Sequence, residues 1–211
     1  MQLTVDFLLF LFWLGAIIAF MVWQAARFLD CHGGPPLSRR QIFPVIAAFS
    51  MACVTLFLAG PGVPALLRGV TLFALFLPMA LLDLRCYWLP QRFTVTFWLL
   101  GGVSACLPGA PMTLLSSLLF SAAVFTVLYS LRTVALRYRG EVLGLGDVYL
   151  MAGMFAWLPW RAASYAGAGA LLLCALASLL IGRRSQPLAP ALLTVLTAAV
   201  LFFPRFTQGV L

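Results

Sequence analysis

Long apolar runs broken by short polar links organise this chain. Hydrophobic stretches occupy residues 4–26, 42–60, 64–84, 112–131, 162–181 and 188–204, and two shorter ones, 93–107 and 145–160, are interrupted by Pro and Gly. A helix needs roughly 20 apolar residues to cross a bilayer, whose hydrocarbon core is about 30 Å thick. Unpaired backbone N–H and C=O groups are too costly in lipid for open strands, so such spans are helical. The pattern predicts an all-α, polytopic transmembrane helix bundle in a single integral membrane domain, 1–211. It has about eight spans, or six or seven if the two shorter stretches are re-entrant. The first run is long enough to span and has no basic segment before it, so it reads as a retained helix rather than a cleaved signal.

The polar links carry the topology. With the N-terminus outside, the links on the cytoplasmic side hold Arg27, Arg39 and Arg40, then Arg85 and Arg92, then Arg132, Arg137 and Arg139, then Arg183 and Arg184. Only Arg68, Arg161 and Arg205 fall on the other side, a ten-to-three bias. Basic residues concentrate in cytoplasmic loops, so both termini are expected outside. The outer links, Pro61-Gly62-Val63, Pro108-Gly109-Ala110-Pro111 and Leu158-Pro159-Trp160-Arg161, have turn compositions and make consecutive helices antiparallel neighbours.

Composition agrees with the pattern. The chain is 64% hydrophobic and 9% charged, with a mean hydropathy of +1.09, whereas soluble domains carry roughly 25% charged residues. The net charge of +8 comes from 13 Arg scattered through short links, which leaves no basic face for nucleic acid. Cys31, Cys53, Cys86, Cys106 and Cys174 stand singly, without a C-x-x-C pair. They suit neither a disulfide framework nor a zinc site, and no metal or cofactor is expected.

The five acidic residues divide into two groups. Asp6 at the mouth of the first helix and Asp30 in a polar link read as solvated, and Glu141, near Arg137 and Arg139, reads as a loop ion pair. Asp83 and Asp147 instead end and begin apolar runs, at the cytoplasmic ends of their spans. An Asp within a spanning helix costs on the order of 3 kcal/mol to insert and marks a functional interior or wet cavity. A structural alternative is an Asp that caps a helix or pairs with Arg85.

The surroundings of these two residues have mechanical meaning. Asp83 opens Asp-Leu-Arg-Cys-Tyr-Trp-Leu-Pro, and Asp147 closes Gly144-Leu145-Gly146-Asp147. Gly144 and Gly146 permit positive φ and close backbone approach, so the chain is expected to enter the membrane unwound before Asp147. Such a bare backbone could also take an extended peptide beside the carboxylate. The alternative for these glycines is helix packing. Pro90, with Pro78 before it, is expected to limit the helix around Asp83; alternatively Pro90 simply starts the next helix.

The pair Asp-x6-Pro and Gly-x-Gly-Asp resembles the type IV prepilin peptidase family of intramembrane aspartyl proteases. The likeness runs from about Phe73 to the C-terminus, within a peptidase-like region taken as 68–204. It includes Leu-Pro-Gln-Arg-Phe-Thr after Asp83, Gly-Asp-Val-Tyr-Leu-Met-Ala-Gly around Asp147, and Gln186-Pro187-Leu188-Ala189-Pro190 before the last helix. The resemblance implies a metal-free aspartic endopeptidase that cleaves leaders from prepilin or pseudopilin precursors at the cytoplasmic face of the bacterial inner membrane. Asp83 and Asp147 match its catalytic positions, with Gly144, Gly146 and Pro90 supporting. Two close carboxyl groups would share one proton.

Two features depart from the family. Members that also methylate their product carry paired C-x-x-C motifs after the first helix, whereas the link here, 27–41, holds only Cys31 and His32. Tyr149 stands where Lys is usual. Two other readings compete with the protease. In one, a small transporter uses Asp83 and Asp147 as ion or proton sites, which inverted repeats would favour but the sequence does not display. In the other, a scaffold protein needs neither carboxylate.

Overall fold

The computed structural model describes residues 2–139, 144–182 and 186–203, and among them the chain forms eight helices and no strand. These are α1 (Gln2–Cys31), α2 (Arg39–Leu58), α3 (Val63–Cys86), α4 (Gln91–Ser104), α5 (Leu114–Arg139), α6 (Leu145–Trp157), α7 (Trp160–Ile181) and α8 (Leu188–Phe202). Every apolar run of the sequence is one of them. Glu141, Arg183, Arg184 and Arg205, and the side chain of Arg139, lie outside the described residues.

Length separates the helices into two kinds. α1, α2, α3, α5 and α7 are long and apolar enough to cross a membrane. α4, α6 and α8 have 14, 13 and 15 residues, or roughly 20–22 Å of helix, well short of a hydrocarbon core. The short character of α4 and α6 was legible in their Pro and Gly interruptions. α8 was expected to continue to 204, but Phe203 leaves the helix at φ −134° and ψ 76°. Pro204 follows it, and a proline disfavours helical geometry in the residue before it.

α3 is the axis of the bundle. Within its most apolar stretch 72% of residues are buried, against 11% in α1 and α5 and 17% in α7, so α3 faces protein and the other three face lipid. It packs against α1, α2, α4 and α8, while α6 lies between α4 and α5, and α7 lies on α8. Phe73, Phe76, Leu77 and Met79 of α3, with Phe49 of α2 and Phe97 of α4, are fully enclosed.

Small residues set the closest approaches, since they let membrane helices touch backbone to backbone. A methyl added to Gly153 would sit 2.6 Å from the Phe97 ring, and one on Gly101 would sit 2.8 Å from Ala156 and Trp157. These contacts lock α4 and α6 side by side and parallel. Trp157 Nε1 donates to the Phe97 carbonyl at 2.8 Å, and Ser117 of α5 donates to the Ala156 carbonyl at 2.9 Å.

The links place four helix beginnings and four helix ends together. Gln41 at the start of α2 donates to the Leu84 carbonyl near the end of α3 at 3.2 Å. Phe28 near the end of α1 meets Trp88 and Phe93, across the α3–α4 link. Arg27, Arg39, Arg40, Arg85, Arg92 and Arg137 therefore gather at one end of the bundle, with Arg68 and Arg161 at the other. Arg68, buried, donates to the Gly109 carbonyl at 3.2 Å there.

Candidate active site

Asp83 lies in the last turn of α3 and is buried. α3 runs through Pro78 and ends at Cys86, three residues after Asp83. Its stop is Tyr87, at φ 55° and ψ 36°, whose N–H donates to the Asp83 carbonyl at 2.9 Å. A left-handed residue is a common helix terminus, though for a non-glycine it costs on the order of 1 kcal/mol. Pro90 then caps α4, its carbonyl accepting the Phe93 and Thr94 N–H groups. The role of Pro90 is thus to begin the next helix.

The Asp83 carboxylate reaches across to α8. Its Oδ2 accepts the Ala189 N–H at 2.8 Å, in the first turn of α8. The first N–H groups of any helix lack intrahelical partners. α8 has no acidic residue in its own first turn, so an acid from α3 serves instead. Sequence reasoning missed Ala189 as a site residue. The available signal was a Pro-rich helix start with no acidic side chain to satisfy it.

Asp147 lies in the first turn of α6, half-buried, three residues after the N-cap Gly144. Its carboxyl folds back over its own helix start, beside Gly144. A side chain at Gly144 would put its Cβ 3.0 Å from Asp147 Oδ2. Neither Gly144 nor Gly146 adopts positive φ, and Asp147 sits within regular helix. The expected unwound entry is therefore replaced by an ordinary helix start, because a bare N-cap leaves the returning carboxylate room. Close approach does hold at Gly146, where an added methyl would lie 2.5 Å from Leu89 Cβ and 2.7 Å from the Leu89 carbonyl oxygen. Gly146 thus seats the Asp147 turn directly on the link that follows Asp83.

The two carboxyl groups converge. They are within electrostatic reach of each other, and Cys174 of α7 is within reach of both. Cys174 Sγ donates to the Pro187 carbonyl at 3.7 Å, next to the α8 turn that holds Asp83. Arg85 does not take up Asp83: its buried Nε has no hydrogen-bond partner among the described residues. Asp83 caps a helix, as the structural alternative anticipated. Capping alone does not account for a second acid, from a helix remote in sequence, within electrostatic reach of it.

Tyr149 is built into a ring cluster with Trp98 and Phe125, at centroid separations of 5.9 and 5.3 Å, and its hydroxyl accepts from Gln91 Nε2 at 3.4 Å. It ties α6 to α4 and α5 one turn from the site. At the same end Cys31 is exposed, while the His32 ring stacks on Phe28 at 4.1 Å and meets Trp88 edge-on.

Comparison with known proteins bears on the same region. The sequence model of the Type IV leader peptidase family matches residues 70–183, which include both carboxylates and both glycines. The chain belongs to this family. Among curated relatives, a Klebsiella pneumoniae prepilin leader peptidase/N-methyltransferase is 32% identical over 61% of this chain and 56% of its own length. A type 4 prepilin-like proteins leader peptide-processing enzyme of Escherichia coli O78:H11 is 30% identical over 63% of the chain and 48% of its own length. A Myxococcus xanthus prepilin leader peptidase/N-methyltransferase is 31% identical over 69% and 43%. The chain thus spans about half the length of the curated relatives it matches. No solved structure matches it. As a type IV leader peptidase family member with several apolar spanning helices, it is a multi-pass membrane protein.

Proposed function

We propose that this chain is a membrane-embedded aspartic endopeptidase that removes the leader peptide from type IV prepilin or pseudopilin precursors. The observation that supports the reading is that buried Asp83, at the end of α3, and half-buried Asp147, at the start of α6, lie within electrostatic reach of each other in the region matched by the family. Family membership argues against the transporter reading of the same carboxylates.

In the proposed reaction the pair holds a single proton. The ionised carboxylate takes a proton from water, whose oxygen attacks the scissile carbonyl carbon while the protonated carboxyl polarises the carbonyl oxygen. Collapse of the tetrahedral adduct breaks the C–N bond, and the departing amine leaves with a proton from the pair. The roles belong to the pair jointly and exchange during the cycle. Gly144, Gly146 and Pro90 support the two helix starts. No metal or cofactor enters this chemistry. We place the site at the cytoplasmic side of the bacterial inner membrane, with both termini outside, because the Arg-rich end of the bundle is also the Asp end.

The test is co-expression with candidate pilin precursors, followed by mass measurement of the pilin. Removal of the leader by the wild type, and its loss in Asp83→Asn and in Asp147→Asn with membrane insertion intact, is the expected result. Full processing by either variant would reject the assignment.

A further inference from the structure

Three helices form a hydrogen-bonded frame around Asp83. Gln41 of α2 donates to the Leu84 carbonyl of α3 at 3.2 Å, and Thr197 of α8 donates to the Ala48 carbonyl of α2 at 3.3 Å. The first turn of α8 closes the frame through Ala189 N–H and Asp83 Oδ2 at 2.8 Å. Ala189 is fully buried and its neighbour Leu188 nearly so. The N-cap residue of this turn, Pro187, is itself held from α7 by Cys174. Asp147 instead lies in the first turn of its own helix, with its carboxyl beside the N-cap Gly144.

We propose that the N-terminal turn of α8, acting through the Ala189 N–H group, is the positioning element that orients the Asp83 carboxylate for catalysis. The proposal rests on the protease reading given above. An N–H can donate only to an oxygen lone pair, so Oδ2 of Asp83 is committed to the helix. The N–H on Oδ2 makes that oxygen the weaker proton site, which favours the opposite oxygen of Asp83 or Asp147 for the shared proton. Rotation of the Asp83 carboxylate about its terminal bond, otherwise broad and nearly unrestricted, is removed at the same time. The aligned N-terminal dipole adds to the effect. Ala189 acts through Asp83 and is a positioning residue, not a catalytic one.

Two measurements on the full-length protein test this. The first is independent of activity: hydrogen exchange of the 186–192 segment. Replacing Asp83 by Ala removes the acceptor, so the Ala189 amide exchanges at least tenfold faster, whereas Asp147→Ala leaves it unchanged. Equal exchange in wild type and Asp83→Ala would overturn the proposal even if the chain proves not to be a protease.

The second measurement uses leader cleavage. Ala189→Pro deletes the donor in the first helical turn, where proline is tolerated. The expected result is a kcat about ten- to a hundredfold lower, the range for loss of a hydrogen bond to a charged group, with KM within twofold. Ala189→Gly, which keeps the N–H, retains wild-type kcat. Should Ala189→Pro fail to fold, the exchange measurement decides the proposal. Wild-type kcat in a folded proline variant would overturn the proposal while leaving the wild-type cleavage, and hence the functional reading, intact.

Discussion

Asp83 and Asp147 differ in how they are held, although the sequence presents both as an Asp at the border of an apolar run. Asp83 is fixed by a backbone N–H of another helix, whereas Asp147 lies beside the N-cap of its own. A carboxyl pair that works with one proton gives a bell-shaped dependence of rate on pH. Below the optimum both groups are protonated and no base remains; above it both are ionised and no acid remains. Cleavage by the purified protein is expected to fall on both sides, and a rate that climbs monotonically with pH would contradict a shared proton. Sequence reading reached these two residues because an acid beside lipid is costly and stands out. It did not reach Ala189 or Cys174, whose contributions are a backbone N–H or a thiol and leave no mark in residue type. Tyr149 stood out only as a departure from the family pattern, and its place among Trp98 and Phe125 depends on helices remote in sequence.

At the level of elements, apolar run length predicted all eight helices because lipid demands internally bonded backbone. Local expectations at their ends met mixed outcomes. α3 carries Pro78 inside it, buried in the axis, and stops just after Asp83. The Gly144–Gly146 pair makes a regular helix start, one glycine leaving room for a carboxylate and the other for the Leu89 backbone. The second of these is open to test. In Gly146→Ala the new methyl meets Leu89 Cβ and a main-chain oxygen, which cannot swing aside. The substitution is expected to cost about 1–3 kcal/mol, as overpacking does, and to lower the unfolding midpoint in detergent. Gly15→Ala, with open space around it, is expected to leave the midpoint unchanged or raise it, since Ala is the better helix former. Equal midpoints for the two variants would show that the α6 start does not rest on the α3–α4 link.

For the whole molecule, the arrangement is one buried axis, α3, with short helices α4, α6 and α8 beginning beside its Asp-bearing end and long α1, α5 and α7 facing lipid. Two native cysteines report its orientation. Cys31 is exposed at the Asp end and Cys106 is exposed at the opposite end. In intact cells a membrane-impermeant thiol reagent is expected to label a variant keeping only Cys106 and to spare one keeping only Cys31. The reverse pattern would place the carboxylates outside. The account as a whole depends on Asp83 and Asp147 acting as one unit, and groups that do so are not additive when removed. The most direct measurement is the rate of leader cleavage by purified Asp83→Asn, Asp147→Asn and the double variant, each shown to be folded. Each single change is expected to lower kcat by roughly a thousandfold or more, with the double variant no slower than the singles. A wild-type rate in either single variant, or a double variant whose loss is the product of the two, would contradict a shared catalytic pair.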